Sequence, residues 1–173
     1  GGNDGQNLEA ICTNFSHFTK ENTFKYYEKD ILENKQLLFE NINSKSFFEN
    51  EKLIIITEIT DKFLNIILEV RESNLDEVKI ILLTKKLEKR SKIRNFFEKE
   101  EKTLIVPFYR DTAQNLITIA RKILSENKIY LSQEQLNLII DRARDDRISL
   151  KNELEKVITL SKSRKKIDTF DIL

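Results

Sequence analysis

The spacing of apolar residues changes character near residue 107. Before that point, short unbroken aliphatic runs alternate with stretches of helical spacing. Residues 53–57 and 78–84 read as buried strands, because Leu53-Ile54-Ile55-Ile56 and Ile80-Ile81-Leu82-Leu83 leave no polar face. Residues 103–106 read as a further buried strand, which Pro107 ends. Residues 23–27 read as a short strand, since Phe24-Lys25-Tyr26 alternates within a run of β-formers. Between these runs the apolar residues recur at the helical period. Leu8, Ile11, Cys12, Phe15 and Phe18 mark a helix over 6–18, and Ile31, Leu32, Leu38, Phe39 and Ile42 mark one over 31–42. Phe63, Leu64, Ile67 and Leu68 mark residues 60–72, and Ile93, Phe96 and Phe97 mark 90–100. Continuous apolar strands alternating with amphipathic helices predict a parallel sheet covered on both faces, joined by right-handed crossovers.

After Pro107 the strand signal stops. Asp111-Thr112-Ala113-Gln114 has the form of a helix cap, followed by Leu116, Ile117, Ala120, Ile123 and Leu124 at the helical period. Ser132-Gln133-Glu134-Gln135 has the S-x-x-Q form of a capping box and opens a helix on Leu136, Ile139, Ile140 and Ala143. Ser149 precedes a helix on Leu150, Leu154, Val157 and Ile158, and Asp168-Thr169 caps one more. An all-helical second domain is therefore predicted from about residue 110 onward.

Composition narrows the chemistry. The 173 residues suit one large or two small domains with real cores. Thirty Lys+Arg against 29 Asp+Glu leave a formal charge of +1, which argues against a basic nucleic-acid arm or an acidic tail. A single cysteine, Cys12, excludes an internal disulfide framework and a multi-cysteine zinc site. A single histidine, His17, excludes a histidine metal cluster. The longest pure aliphatic runs are four residues, so neither a membrane span nor a signal peptide is expected, and a reduced cytoplasmic setting is. The chain has no methionine and opens on Gly1-Gly2-Asn3-Asp4-Gly5, so a fragment cut at both ends is expected.

That opening invites comparison with a phosphate-binding loop, which needs backbone donors, a lysine and a Ser or Thr for Mg²⁺. Gly2, Asn3, Asp4 and Gly5 have the shape of such a loop without its charge, because Gln6 and Asn7 follow where a lysine would be and Asp4 repels phosphate. The strand at 53–56 ends on Thr57, where a metal-binding Asp would be expected. Both losses describe the scaffold of a nucleotide-driven motor without the motor. Cys12 falls on the apolar face of its helix and reads as a small core residue. The carboxylates interleave with lysines on solvated faces, as over 98–102, and no acid pair stands apart in apolar surroundings. Residues 85–94 are basic, with Lys89, Arg90 and Lys92 the candidate phosphate or DNA contacts, but Glu98, Glu100 and Glu101 balance them. The cations over 162–166 end a helix, where its dipole favours them without any ligand.

The segment Ser46-Phe47-Phe48 is less bland. Adjacent residues on a helix point about 100° apart, so one inward face does not easily hold both rings. The pair is either ordinary core at the sheet edge or an aromatic anchor for a partner's pocket.

Taken in order, four segments resemble the delta-subunit family of bacterial DNA polymerase III, the clamp-opening subunit of the sliding-clamp loader. They are Gly2-Asn3-Asp4-Gly5; Ser46-Phe47-Phe48-Glu49-Asn50-Glu51-Lys52-Leu53-Ile54-Ile55; Ile80-Ile81-Leu82-Leu83 with Leu87-Glu88-Lys89-Arg90-Ser91-Lys92-Ile93; and residues 145–156, which read DDRISLKNELEK. The resemblance implies an AAA+-like parallel sheet with flanking helices and lost ATPase motifs at 1–107, lacking its first strand. It implies an incomplete helical lid at 108–173, with the family's collar domain absent. Thr103 to Val106 would then stand apart from its neighbouring strand across an unfilled slot, or collapse against it.

In the family, two adjacent apolar residues after a Ser enter a hydrophobic pocket on the sliding clamp; here they are Phe47 and Phe48, after Ser46. The implied role is non-catalytic, in a DNA-directed DNA polymerase holoenzyme, without a cofactor. The implied partners are the sliding clamp (beta subunit), the gamma/tau ATPase subunits, delta prime and primed DNA, at the nucleoid-associated replisome of the bacterial cytoplasm. The competing readings are a nucleic-acid-binding AAA+-like domain and a degenerate but active ATPase.

Overall fold

The computed structural model describes residues 4–44, 51–73, 75–163 and 167–172, with the side chains of Asp4 and Phe170 left aside. Residues 11–107 form one compact unit, and residues 108–173 form a second together with the described residues up to Ala10.

The chain begins with α1 (Asp4–Asn14). Cys12 in this helix is exposed, not a core residue as its helical spacing suggests. Among the described residues of α1 the buried ones are Gly5 and Gln6 rather than its apolar side chains, and Leu8 is 54% exposed. Helical periodicity thus reports an apolar face here without a core to receive it.

In the α/β unit, β1 (Thr23–Tyr27) leads into α2 (Glu28–Glu33) and α3 (Gln36–Asn43). The single helix expected over 31–42 is broken at Asn34, which leaves helical geometry at φ −144° while its side-chain oxygen accepts from the Gln36 N–H at 3.2 Å. Asparagine offers the backbone this local alternative to the helical ladder. Next come β2 (Lys52–Thr57), a 3₁₀ turn at Asp61–Phe63, α4 (Leu64–Arg71), β3 (Val78–Leu82) and α5 (Lys92–Phe97). The described sheet is three-stranded and parallel in the order β1-β2-β3, with Thr23 opposite Leu53 and Lys52 opposite Val78. Being central, β2 is buried from Lys52 through Ile56, as an unbroken aliphatic run requires. Ile54 and Ile56 join Ile31, Leu38, Phe63 and Ile93 in the core.

No strand forms at 103–106. The Thr103 N–H donates to the Glu100 carbonyl at 3.3 Å and its hydroxyl to the Phe97 carbonyl at 3.0 Å. Its polar groups therefore close the turn after α5 instead of entering a ladder, and Leu104 is left 83% exposed. The expected strand beside an unfilled slot is replaced by this irregular segment. A β-forming composition makes a strand only where a neighbouring edge supplies hydrogen bonds.

The helical unit contains α6 (Ala113–Glu126), α7 (Gln133–Ala143), α8 (Arg147–Ser163) and α9 (Thr169–Ile172). Thr112 caps α6 by accepting from the Asn115 N–H at 3.2 Å. The capping box of α7 is complete: the Ser132 hydroxyl accepts from the Gln135 N–H at 3.2 Å, and the Gln135 side chain accepts from the Ser132 N–H at 2.9 Å. Leu116, Ala120, Ile139, Leu150 and Leu154 fill the core between these helices. Arg144 and Asp145, at φ 48° and 60°, make the tight turn from α7 into α8.

Candidate functional site

The residues singled out as a clamp anchor, Ser46, Phe47 and Phe48, lie outside the described residues. The two stems that flank them are described. Ser44 ends α3, and Glu51 precedes β2, at the N-terminal edge of the sheet. Lys52 opens β2 as a buried lysine, 8% exposed, in an otherwise aliphatic strand. Its ammonium donates to the Asn41 carbonyl at 3.0 Å, to the Ser44 hydroxyl at 2.7 Å and to the Ser44 carbonyl. Those acceptors belong to the last turn of α3, whose carbonyls have no helical partner and carry the negative end of the helix dipole. A buried ammonium is tolerated only when its donors are used, and here they are. The Lys52 backbone N–H meanwhile donates to the Glu77 carbonyl at 2.8 Å. One residue thus ties the end of α3 to the start of β2.

The same corner is braced from β1. The Asn41 side chain donates to the Tyr26 hydroxyl at 2.6 Å, and burial raises the Tyr26 phenol above its ordinary pKa. Asn22 donates to the Glu51 carbonyl at 3.0 Å. The Glu51 carboxylate lies 3.5 Å from the Lys79 ammonium and 3.8 Å from His17. These supports converge on both stems.

Ligand crevices of parallel α/β sheets lie outside the opposite, C-terminal edge of the strands. There, Thr57 ends β2 and Glu58, at φ 62°, pairs with Lys85 at 3.1 Å. Buried Glu28 accepts from the Thr60 N–H at 2.8 Å and its hydroxyl at 2.9 Å. Asp61 accepts from the Ser91 hydroxyl at 2.6 Å and the Ile93 N–H at 3.1 Å. The Ser91 hydrogen bond, then that from Ile93, holds the Asp61 carboxyl below its ordinary pKa. The Glu28 and Asp61 carboxylates are thus engaged in capping and turn contacts. No group of His, Cys, Asp and Glu suited to a metal occurs among the described residues.

The remaining candidates are dispersed. Gly2 and Asn3 lie outside the described residues, whereas Asp4 and Gly5 already belong to α1 rather than to a turn before it. Lys89, Arg90 and Lys92 are exposed; Arg90 pairs with Glu88 at 2.9 Å, and Lys92 acts on the Asp61 carboxylate. Lys52 was not singled out by sequence, although a lysine opening an aliphatic strand was a readable signal.

No protein-family model matches the chain, and no curated protein matches it in sequence. Solved structures match it in fold. A DNA clamp loader delta protein from Bacillus subtilis aligns with 99% of this chain and 55% of its own, at 14% identity and a TM-score of 0.61. A RuvB variant from Thermotoga maritima aligns with 97% of this chain and 56% of its own, at 15% identity and a TM-score of 0.58. The chain spans about half the length of these structures. This chain's part of the shared fold is a three-stranded parallel sheet with flanking helices, followed by a helical unit. No helix among the described residues is long and apolar enough to cross a membrane.

Proposed function

We propose that this chain is a clamp-loader subunit of the delta type, which binds the sliding clamp through Phe47 and Phe48. The observation that carries the reading is the fold match to the Bacillus subtilis clamp loader delta protein over 99% of the chain. The architecture of the corner supports it. The described stems on either side of Ser46, Phe47 and Phe48 are held, Ser44 by Lys52 and Glu51 by Asn22, away from the sheet edge where a nucleotide would bind. Stems fixed in this way are suited to a segment that presents a hot-spot aromatic to a protein pocket.

In this reading the subunit captures an open clamp interface by binding that conformer more tightly, since a ligand shifts an equilibrium only by its differential affinity. ATP energy comes from partner gamma/tau subunits, with delta prime and primed DNA completing the assembly in the bacterial cytoplasm. The chain itself performs no catalysis. The test is direct binding of the purified chain to the cognate sliding clamp: saturable binding supports the reading, and its absence at high micromolar clamp defeats it.

The fold likeness to RuvB at a TM-score of 0.58 keeps a second reading, a degenerate but active ATPase on the same scaffold. Gln6 and Asn7 in place of a phosphate-binding lysine, and Thr57 in place of an acid, speak against it. Calorimetry with Mg-ATP separates the two: micromolar binding by this chain alone would favour the second.

A further inference from the structure

The first turns of α1 are held to the helical unit by charge rather than by apolar burial. Arg147, in the first turn of α8, forms a two-pronged pair with Asp111: Nε donates to Oδ2 at 2.5 Å and Nη2 to Oδ1 at 2.8 Å. Its remaining nitrogen, Nη1, donates to Glu9 of α1 at 2.9 Å. The Asp111 side chain is fully buried, that of Arg147 is 22% exposed, and Lys151 adds a second cation 3.8 Å from Glu9. Gln6 and Asn115 also hydrogen-bond Asp111, so its carboxylate gathers groups from α1, α6 and α8.

Three features mark this as more than an incidental ion pair. A cation in the first turn of a helix opposes the macrodipole, so Arg147 is placed against its own helix and depends on anions from elsewhere. Among the described residues of α1, Gly5 and Gln6 are buried and no apolar side chain is, so area burial does not account for the docking. Gly5 is packed so closely that a methyl there would lie 3.0 Å from Arg147 Cβ and 3.3 Å from the Ile148 backbone nitrogen. That absence of a side chain lets α1 come within reach of the guanidinium.

We propose that Glu9, Arg147 and Asp111 form a built-in clasp that docks the first turns of α1 on the helical unit using the chain's own charges. No bound anion is needed to bridge α1 and α8, because the two carboxylates already occupy the guanidinium that an anion would use. The arrangement is planar and bidentate on Asp111, a geometry that lysine does not reproduce.

Amide hydrogen exchange on the full chain tests this, in Asp111→Asn, Glu9→Gln and Arg147→Gln. The clasp predicts that protection at residues 5–10 falls about tenfold or more in Asp111→Asn, while the α7 and α8 core changes far less. Asp111→Asn combined with Arg147→Gln should lose no more there than Arg147→Gln alone, since both break one unit. Glu9→Gln, at a half-exposed site that folding tolerates, should show a smaller loss confined to the same residues. Equal loss across α6, α7 and α8, strict additivity, or unchanged protection at 5–10 in Glu9→Gln and Asp111→Asn would overturn the clasp. So would a gain in that protection when inorganic phosphate is added to the unaltered chain.

Discussion

Lys52 in the α/β unit and Arg147 in the helical unit each join separate elements, Lys52 over a short span of chain and Arg147 over a long one, and their partners differ in kind. Lys52 ends on two carbonyls and a hydroxyl at the end of α3. Arg147 ends on the carboxylates of Asp111 and Glu9. Neutral acceptors keep their character across the acid range, whereas carboxylates lose theirs on protonation. The junction that Lys52 makes therefore ends on acceptors that acid does not remove, whereas the clasp at α1 is electrostatic and acid-labile. On the proposed reading, the Ser44 stem is held through neutral acceptors, whereas the Glu51 stem also carries a carboxylate facing Lys79 and His17.

The largest effect should come from Arg147→Ala. It leaves the fully buried Asp111 carboxylate without its charge partner, at a cost of about 2–3 kcal/mol, somewhat below a fully buried pair because Arg147 is partly exposed. Urea unfolding measures this, and a loss under about 0.5 kcal/mol would erase the distinction between clasp and surface pair. Lys52→Met should cost less, about 1–2 kcal/mol, because the methionine chain fits an aliphatic strand while the Ser44 and Asn41 acceptors are orphaned. That change should also loosen the stems and weaken clamp binding beyond its effect on stability.

The acid profile gives the smallest and most discriminating effect. The hydrogen bond from Arg147 is the chief cause that lowers the Asp111 pKa from its ordinary value, with burial opposing it. Its contribution is therefore present above about pH 3.9, the unfolded value, and is lost as pH falls through the lower folded value. Unfolding measured from pH 7 downward should show an acid-sensitive component that disappears in Arg147→Gln and persists unchanged in Lys52→Met. Identical profiles in all three proteins would show that the two junctions do not differ as argued.

Much of the scaffold was legible because burial imprints a period. The aliphatic run Leu53-Ile54-Ile55-Ile56 in β2 and the Ser132–Gln135 capping box are local signals, and the structure contains both. Residues 103–106 carried the same β-forming signal, but their fate depended on a ladder partner and on Thr103 turning back to Phe97, which no local pattern encodes. Asn34 was readable as a helix breaker and outweighed by the apolar spacing around it. Cys12 failed for the complementary reason: periodicity locates a face without saying what covers it. The junctions were the least legible part. Arg147 and Glu9 are 138 positions apart, and charge complementarity over such a span leaves no periodic trace.

The central proposal is that Phe47 and Phe48 are binding residues rather than core. Sliding-clamp affinity and thermal unfolding, measured on one Phe47→Ala/Phe48→Ala preparation, test it most directly. Losing an aromatic hot spot removes about 2 kcal/mol or more of binding, so affinity should fall about thirtyfold or further. The melting temperature should stay within about 2 °C of the unaltered chain, as expected when less than about 1 kcal/mol of stability is lost. A large drop in melting temperature with clamp affinity unchanged in the folded fraction would place both rings in the core and contradict the account.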